Sequence, residues 1–511
     1  MPLAKLQFRP GINRESTSYA NEGGWFDCDK VRFHQGYPEK FGGWEKYSSS
    51  TYLGTARALH NWVALDGSNY MGVGTELKYY IEEGGAFNDI TPIRSTTAAG
   101  DVTFSATDGS TTITVSDTSH GADENDFVTF SGAVSLGGVI TADVLNQEYQ
   151  IVSIVDADSY TITSAVAANA SDTGNGGASV VGEYQINVGL NTQVGGTGWG
   201  AGTWSRGTWG SASATATDAE LRLWSHDNFG EDLLINPRDA AIYYWDKSST
   251  LSARAVEIGT VSGASNTPTI AKQVMVSDND RHVIAFGCNP LGSADQDNLL
   301  IRFSDQENLT DWTPTATNTA GDLRLGSGSE FIQAVETKRE ILVWTDRSLH
   351  SMQFVGPPFT FGITQLASSI TIMGPKAAVA AEDFVFWMGI DNFYVYDGRT
   401  ANLPCTVRDY VFEDFNSAQA EKVTAGINSQ WGEVIWFYPS STSDENDRYV
   451  VFNYIEKVWY YGNLSRTAWR DRGLRPLPMA AGASGGSSYL YNHEIGVDDD
   501  GSAMEAYIES S

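Results

Sequence analysis

Sixty-three carboxylates stand against 32 Lys and Arg, so carboxylate chemistry is the first to weigh. Two carboxyl groups flanking a glycosidic bond could act as acid and nucleophile, and carboxylates in a tight run could hold calcium. Three runs stand out: Ala122–Asp126, Ser443–Asp447 and Val497–Gly501. Asp498-Asp499-Asp500-Gly501 starts like a calcium loop, but no bidentate Glu follows at EF-hand distance. All three read as solvated hairpin tips. The seven His are scattered with no zinc-ligand spacing. Cys28, Cys288 and Cys405 are odd in number and far apart, which predicts reduced, mostly buried thiols and no disulfide framework. No nucleophile elbow, phosphate loop or dinucleotide fingerprint occurs. No catalytic, cofactor-binding or metal residue is assigned on this basis.

One segment approaches a known hairpin. FSDQENLTDWTP (Phe303–Pro314) resembles the Ser-x-Asp-x-Gly-x-x-Trp box of sialidase propellers, but Ser304 lies directly beside Asp305 and the Gly is missing. That box is structural, so it would indicate fold and not an active site. A glycosidase needs a carboxylate pair, and here no pair stands out.

The elements that would position such residues are strands. Short apolar stretches alternate with Asp/Gly/Asn turns, the pattern of β-hairpins. Examples are Asn69–Gly84, Glu231–Asp246, His282–Asp305, Glu340–Phe354, Phe384–Gly398 and Glu433–Tyr454, with an incomplete one at Ser487–Gly496. From His282 onward they recur at the spacing of four-stranded propeller blades. The sequence therefore predicts an all-β chain, a β-propeller, with a β-sandwich as the alternative. Ser417–Val423 is the one candidate helix.

Residues Thr96–Val188 break the pattern. They are rich in Thr, Ser, Ala, Gly and Asp and contain six short alternating segments. This reads as a small β-sandwich or barrel inserted between consecutive blades, since surface loops tolerate insertion. The resulting division is 1–95 for the N-terminal segment and first propeller part, 96–190 for the insert, and 191–511 for the remaining blades and a C-terminal β-region. After the insert, Trp199, Trp204 and Trp209 recur every five residues in a Gly-rich tract. That period fits neither helix nor strand, so the tract reads as an extended loop whose Trp anchor it on its own domain or on a neighbouring subunit.

The net charge of −31 argues against capturing DNA through phosphate contacts, which needs clustered Lys and Arg. It permits a surface past which DNA slides. No apolar run approaches bilayer length, and the first residues carry no secretory h-region.

The N-terminal stretch Phe8–Trp44 resembles the opening of tail nozzle proteins of short-tailed phages, the tail tubular protein B or packaged-DNA-stabilisation group. The matching positions are Pro10–Ile12, Arg14, Trp25, Asp27, Lys30–Phe33, Gly36, Pro38–Lys40 and Gly42–Trp44. Gly200–Gly210, Leu223–Asp246, Phe303–Pro314, Ile341–Gly362, Met373–Val379 and Phe386–Asn416 are similar to later family segments, in the same order.

The resemblance implies a non-enzymatic virion protein, assembled in the host bacterial cytoplasm, without cofactor or membrane anchor. It implies a homo-oligomer, a hexameric ring below the portal. Its partners would be a head-to-tail adaptor, tail fibres or spikes, and packaged double-stranded DNA that passes without tight binding. The residues lining that channel are not assigned. The alternative is a propeller that binds or hydrolyses host surface polysaccharide. Gly501–Ser511 ends as a strand begins, which predicts an unpaired sheet edge there and a shortened chain.

Overall fold

A computed structural model of the chain describes residues 8–17, 19–193 and 220–510. Six four-stranded antiparallel sheets and one six-stranded sheet form seven blades. The innermost strands are Ala58–Val63, Trp224–Phe229, Gln273–Val276, Phe331–Glu336, Ala378–Ala381, Thr424–Asn428 and Ala468–Arg470. Neighbouring inner strands pack on one another around the circle, including the last on the first. Blades 3 and 4 are joined by Gln273, whose amide donates to Ala334 O and accepts from Ala334 N, both at 2.9 Å. The chain is a seven-bladed β-propeller.

Strand direction alternates within each blade. Blade-to-blade connections and second-to-third turns therefore lie on one face, here the connection face. First-to-second and third-to-fourth turns lie on the opposite, turn face.

Each complete predicted hairpin corresponds to the middle of a blade, and Ser487–Gly496 holds the third strand of blade 7. Glu433–Tyr438 and Arg448–Asn453 are the second and third strands of blade 6, and Phe384–Met388 and Phe393–Tyr396 those of blade 5. These strands are apolar on both faces because a blade is covered on both sides by its neighbours. Buried aromatic rings fill the gaps between blades: Trp344 meets Trp387 at 5.3 Å and Trp436 meets Phe393 at 5.0 Å between centroids. Burial also pushes the Cys28 and Cys288 thiols up to about 12, as expected of inert core cysteines.

The circle is closed by the N-terminus. Trp44–Lys46 is the fourth strand of blade 7, paired with Ser487–His493. Earlier, Trp25–Asp29 pairs with Tyr507–Ser510. Tyr507–Ser510 is thus paired on one side, in a two-stranded sheet with the N-terminal segment.

The insert is an eight-stranded sheet curled around one core that includes Phe104, Phe130, Tyr160 and Tyr184. Two strands were not anticipated. Ile93–Thr96 begins straight after Pro92, and Asp172–Asn175 has no apolar residue, so neither shows alternation. The insert leaves blade 1 and returns to blade 2 on the connection face.

The helical expectation is corrected as well. Ser417–Lys422 is a 3-10 helix, and an α-helix lies just upstream at Arg408–Glu413. Gln419 breaks the helical backbone with φ −119°. Its side chain hydrogen-bonds Gln193, and that of Lys422 reaches Glu445, so tertiary partners override the local pattern.

Candidate functional site at the ring closure and the propeller axis

The closure is built around Arg32. Its hairpin, Val31–His34 with Tyr37–Lys40, turns through Gln35 and Gly36, both at positive φ. The guanidinium is buried between two carboxylates. Nε donates to Glu433 at 2.8 Å, and Nη1 and Nη2 donate to Glu494 at 2.8 and 2.6 Å. Tyr460 Oη donates to Glu433 at 2.6 Å and Asn428 Nδ2 to Glu494 at 2.9 Å. The rings of Phe41 and Trp431 cover the guanidinium at 4.6 and 4.4 Å. Burial opposes the charge on Arg32, but Glu433 and Glu494 outweigh it and hold the side chain ionised. Next in sequence, Gly42 and Gly43 pass so close to blade 7 that an added Cβ would lie 2.6 Å from Glu494 Cα or 2.3 Å from Asp498 O. Arg14, Trp25, Asp27 and Lys30 surround the same junction. Arg14 lies over the Phe26 and Tyr410 rings, and Asp27 accepts from Tyr461 Oη.

The acidic runs lie at turns and carry exposed members, as expected, but some of their members also hold structural partners. Asp499 accepts from Trp44 Nε1 at 2.5 Å, and Asp500 pairs with Lys46. Glu445 binds Arg57 at 2.5 Å and Lys422 at 3.4 Å. Asp126 accepts the Val188 N–H at the base of the insert. The Phe303–Pro314 segment is also structural. Asp305 caps Thr319, and buried Trp312 donates to Leu309 O.

Around the axis on the connection face, cations and carboxylates alternate. Arg238 binds Glu421 at 2.7 Å and Glu220 at 3.1 Å. Lys272 binds Glu330 at 2.8 Å and Asp239 at 3.3 Å. Lys78 holds Asp89 of blade 1 and Glu148 of the insert at 2.7 and 2.5 Å, so one ammonium ties the insert to the ring. Burial raises Glu220 to about 7, and it shares a hydrogen bond with Asp239. Glu220, Arg238, Lys272, Glu330, Glu421 and Lys376 line an axial cavity of about 260 Å³. Lys376 donates to Trp224 O at 2.9 Å, and burial lowers it to about 8. Below it, His60 and His226 stack at 5.0 Å, bonded to Asn228 and to Tyr79 respectively. Burial lowers His60 to about 4. The mouth is charge-compensated and offers no surplus of cations to a phosphate chain.

Asp227, Asp278, Asp280 and Glu336 meet at the turn-face end of blades 2, 3 and 4. Asp227 accepts from Val276 N and Glu336 from Asp278 N, at 2.9 and 3.0 Å. Burial, with the neighbouring acids, raises Glu336 to about 8 and Asp227 to about 6. Sequence reasoning missed this cluster because its members lie on three blades. Among the described residues, no group of three or more His, Cys, Asp and Glu is arranged to hold a metal ion. Trp199, Trp204 and Trp209 lie outside the described residues.

The fold and site define a seven-bladed propeller with an inserted β-domain. No protein-family model matches the chain, and no curated protein does. Among solved structures, similar chains include the AfRom2 CNH domain, 11% identical, with a TM-score of 0.30, covering 53% of this chain and 93% of that one. Hsv2 of Kluyvelomyces marxianus is 8% identical, with a TM-score of 0.33, covering 56% and 78%. Phage phi92 endosialidase is 11% identical, with a TM-score of 0.20, covering 95% and 74%. Likenesses this distant carry no functional argument, and the propeller rests on the strand pairing above.

Proposed function

We propose that this chain is a structural subunit of a short phage tail. In this reading it is a nozzle protein whose copies surround the DNA channel below portal and adaptor, retain packaged DNA and carry fibres or spikes at the side. The observation that carries the reading is the ordered series of nozzle-like segments from Phe8 to Asn416. Its densest part, Trp25–Trp44, is the part that locks the propeller into a circle. Two physical features are consistent with it. The axis of a single propeller is occupied by side chains and a cavity of about 260 Å³, far too small for duplex DNA, so a conduit must lie between copies. A net charge of −31 gives a wall that repels phosphate, so passage is low in friction.

Sedimentation velocity of the purified chain, alone and with its adaptor, tests this. Closed oligomers are expected, and a monomer in both samples would contradict it.

A second reading, a polysaccharide hydrolase, is favoured by Glu336. A carboxyl group kept protonated near neutrality beside other carboxylates is the pairing a glycosidase uses. Release of reducing sugar from host surface polysaccharide, abolished in Glu336→Gln, would establish it over the first.

A further inference from the structure

We propose that the tip of the outer hairpin of blade 4, Phe354–Phe361, is a contact through which one copy of this chain docks on a second copy. The proposal rests on the ring-forming reading above and names a surface for it.

The hairpin differs from every other in the propeller. Its strands, Ser348–Gly356 and Thr360–Ser368, are nine residues each, while no other described propeller strand exceeds seven. The second strand of the blade ends at Ile341, which pairs with Met352. Beyond Met352 the two outer strands continue as a pair, through Gln353 with Gly362 and Phe354 with Phe361, to a turn at Gly356. The hairpin therefore overhangs the blade on the turn face.

Its base is braced. Phe361 is buried against Phe303 at 4.9 Å and against the His282 ring at 5.2 Å, and Phe354 meets His282 at 5.9 Å. Thr360 Oγ1 donates to Thr319 O at 2.9 Å. The tip is bare. Phe359 is 75% exposed and Val355 56%. A rigid mount loses little entropy when its apolar tip is covered, and aromatic anchors of this kind dominate interfaces.

Charge selects the occupant. Two copies at −31 each repel wherever carboxylates face one another. From Ser348 to Pro375, 28 consecutive residues contain no Asp, Glu, Lys or Arg. Asp280, Glu336 and Glu340 line the cleft at the hairpin's base beside Phe354 and Phe361, so the uncharged, overhanging tip is where like-charged copies can approach. An anionic lipid surface is disfavoured, because the hairpin has no basic residue to draw it to headgroups.

The test uses the full chain carrying a benzoylphenylalanine photocrosslinker at Phe359, with the same probe at Ile390, exposed on the connection face of blade 5, for comparison. Irradiation of the 359 probe should join two chains, and the 390 probe should not. Val355→Ser with Phe359→Ser should weaken self-association at least tenfold while leaving circular dichroism and melting temperature unchanged. Cross-links confined within one chain, equal yields from both probes, or transfer of the 359 cross-link to phosphatidylglycerol vesicles would overturn the proposal. If the unmodified chain assembles but position 359 makes no cross-link between chains, this contact fails and the nozzle reading stands. If the unmodified chain stays monomeric both alone and with its adaptor, both fail.

Discussion

Arg32 and Glu433 form a buried, two-bonded ion pair across 401 residues of chain, with donor–acceptor distances of 2.8 and 3.1 Å. Glu494 completes the cage from blade 7. One side chain from the N-terminal segment thus holds the last two blades together, and the strand that closes the circle begins twelve residues later.

Arg32→Met should therefore be among the most destabilising single changes outside the apolar core. It leaves Glu433 and Glu494 buried without a counter-charge, at a cost of about 3–5 kcal/mol. Adding Glu433→Gln should restore part of the loss, because the uncompensated charge, and not only the lost contact, is what destabilises. Urea unfolding of the single and double variants measures both effects.

Gly43→Ala should lower stability by about 1–3 kcal/mol, since its methyl would meet the Asp498 carbonyl at 2.3 Å and the closing strand would have to shift. Gly473→Ala, with nothing within 4 Å of the new methyl, is the matched control and should be near neutral. Thermal melts of the two variants separate crowding from a general intolerance of Ala for Gly.

His60 is held at about 4, below its ordinary 6.5, first by burial and then by the nearby positive charges of Arg470 and Lys376. The unfolded chain takes up this proton near pH 6.5 and the folded chain only near 4. The contribution to stability is thus full above 6.5 and is lost as pH falls toward 4. His60→Gln should flatten this acid limb in a series of melting temperatures between pH 7 and 4.

Glu336 behaves in the opposite sense. Its folded value of about 8 lies above the ordinary 4.5, so its contribution is full below pH 4.5 and is lost as pH rises to 8. Glu336→Gln should raise the melting temperature at pH 8, by about 1–2 °C, and change little at pH 4.

The repeated hairpins were legible because the middle strands of each blade are long and apolar, as in Glu433–Tyr438 and Arg448–Asn453. Some inner and outer strands were not, because they are short and half-covered, as in Ala378–Ala381 and Thr400–Leu403. The closure was invisible to local pattern, since Trp44 and His493 are paired only through the completed circle. The structural partners within the acidic runs were hidden for the same reason. Glu445 looks like part of a solvated tip until Arg57, 388 residues away in sequence, is folded against it. The axial residues His60, His226, Lys376 and Arg470 come from four blades and have no common spacing.

In the proposed tail assembly, several copies of this propeller enclose a channel that no single copy contains. Electron microscopy of the purified chain bound to its adaptor tests it most directly. Closed rings are expected, with a lumen wide enough for duplex DNA between subunits and each propeller axis remaining filled. Isolated propellers on the adaptor, with no shared lumen, would contradict it.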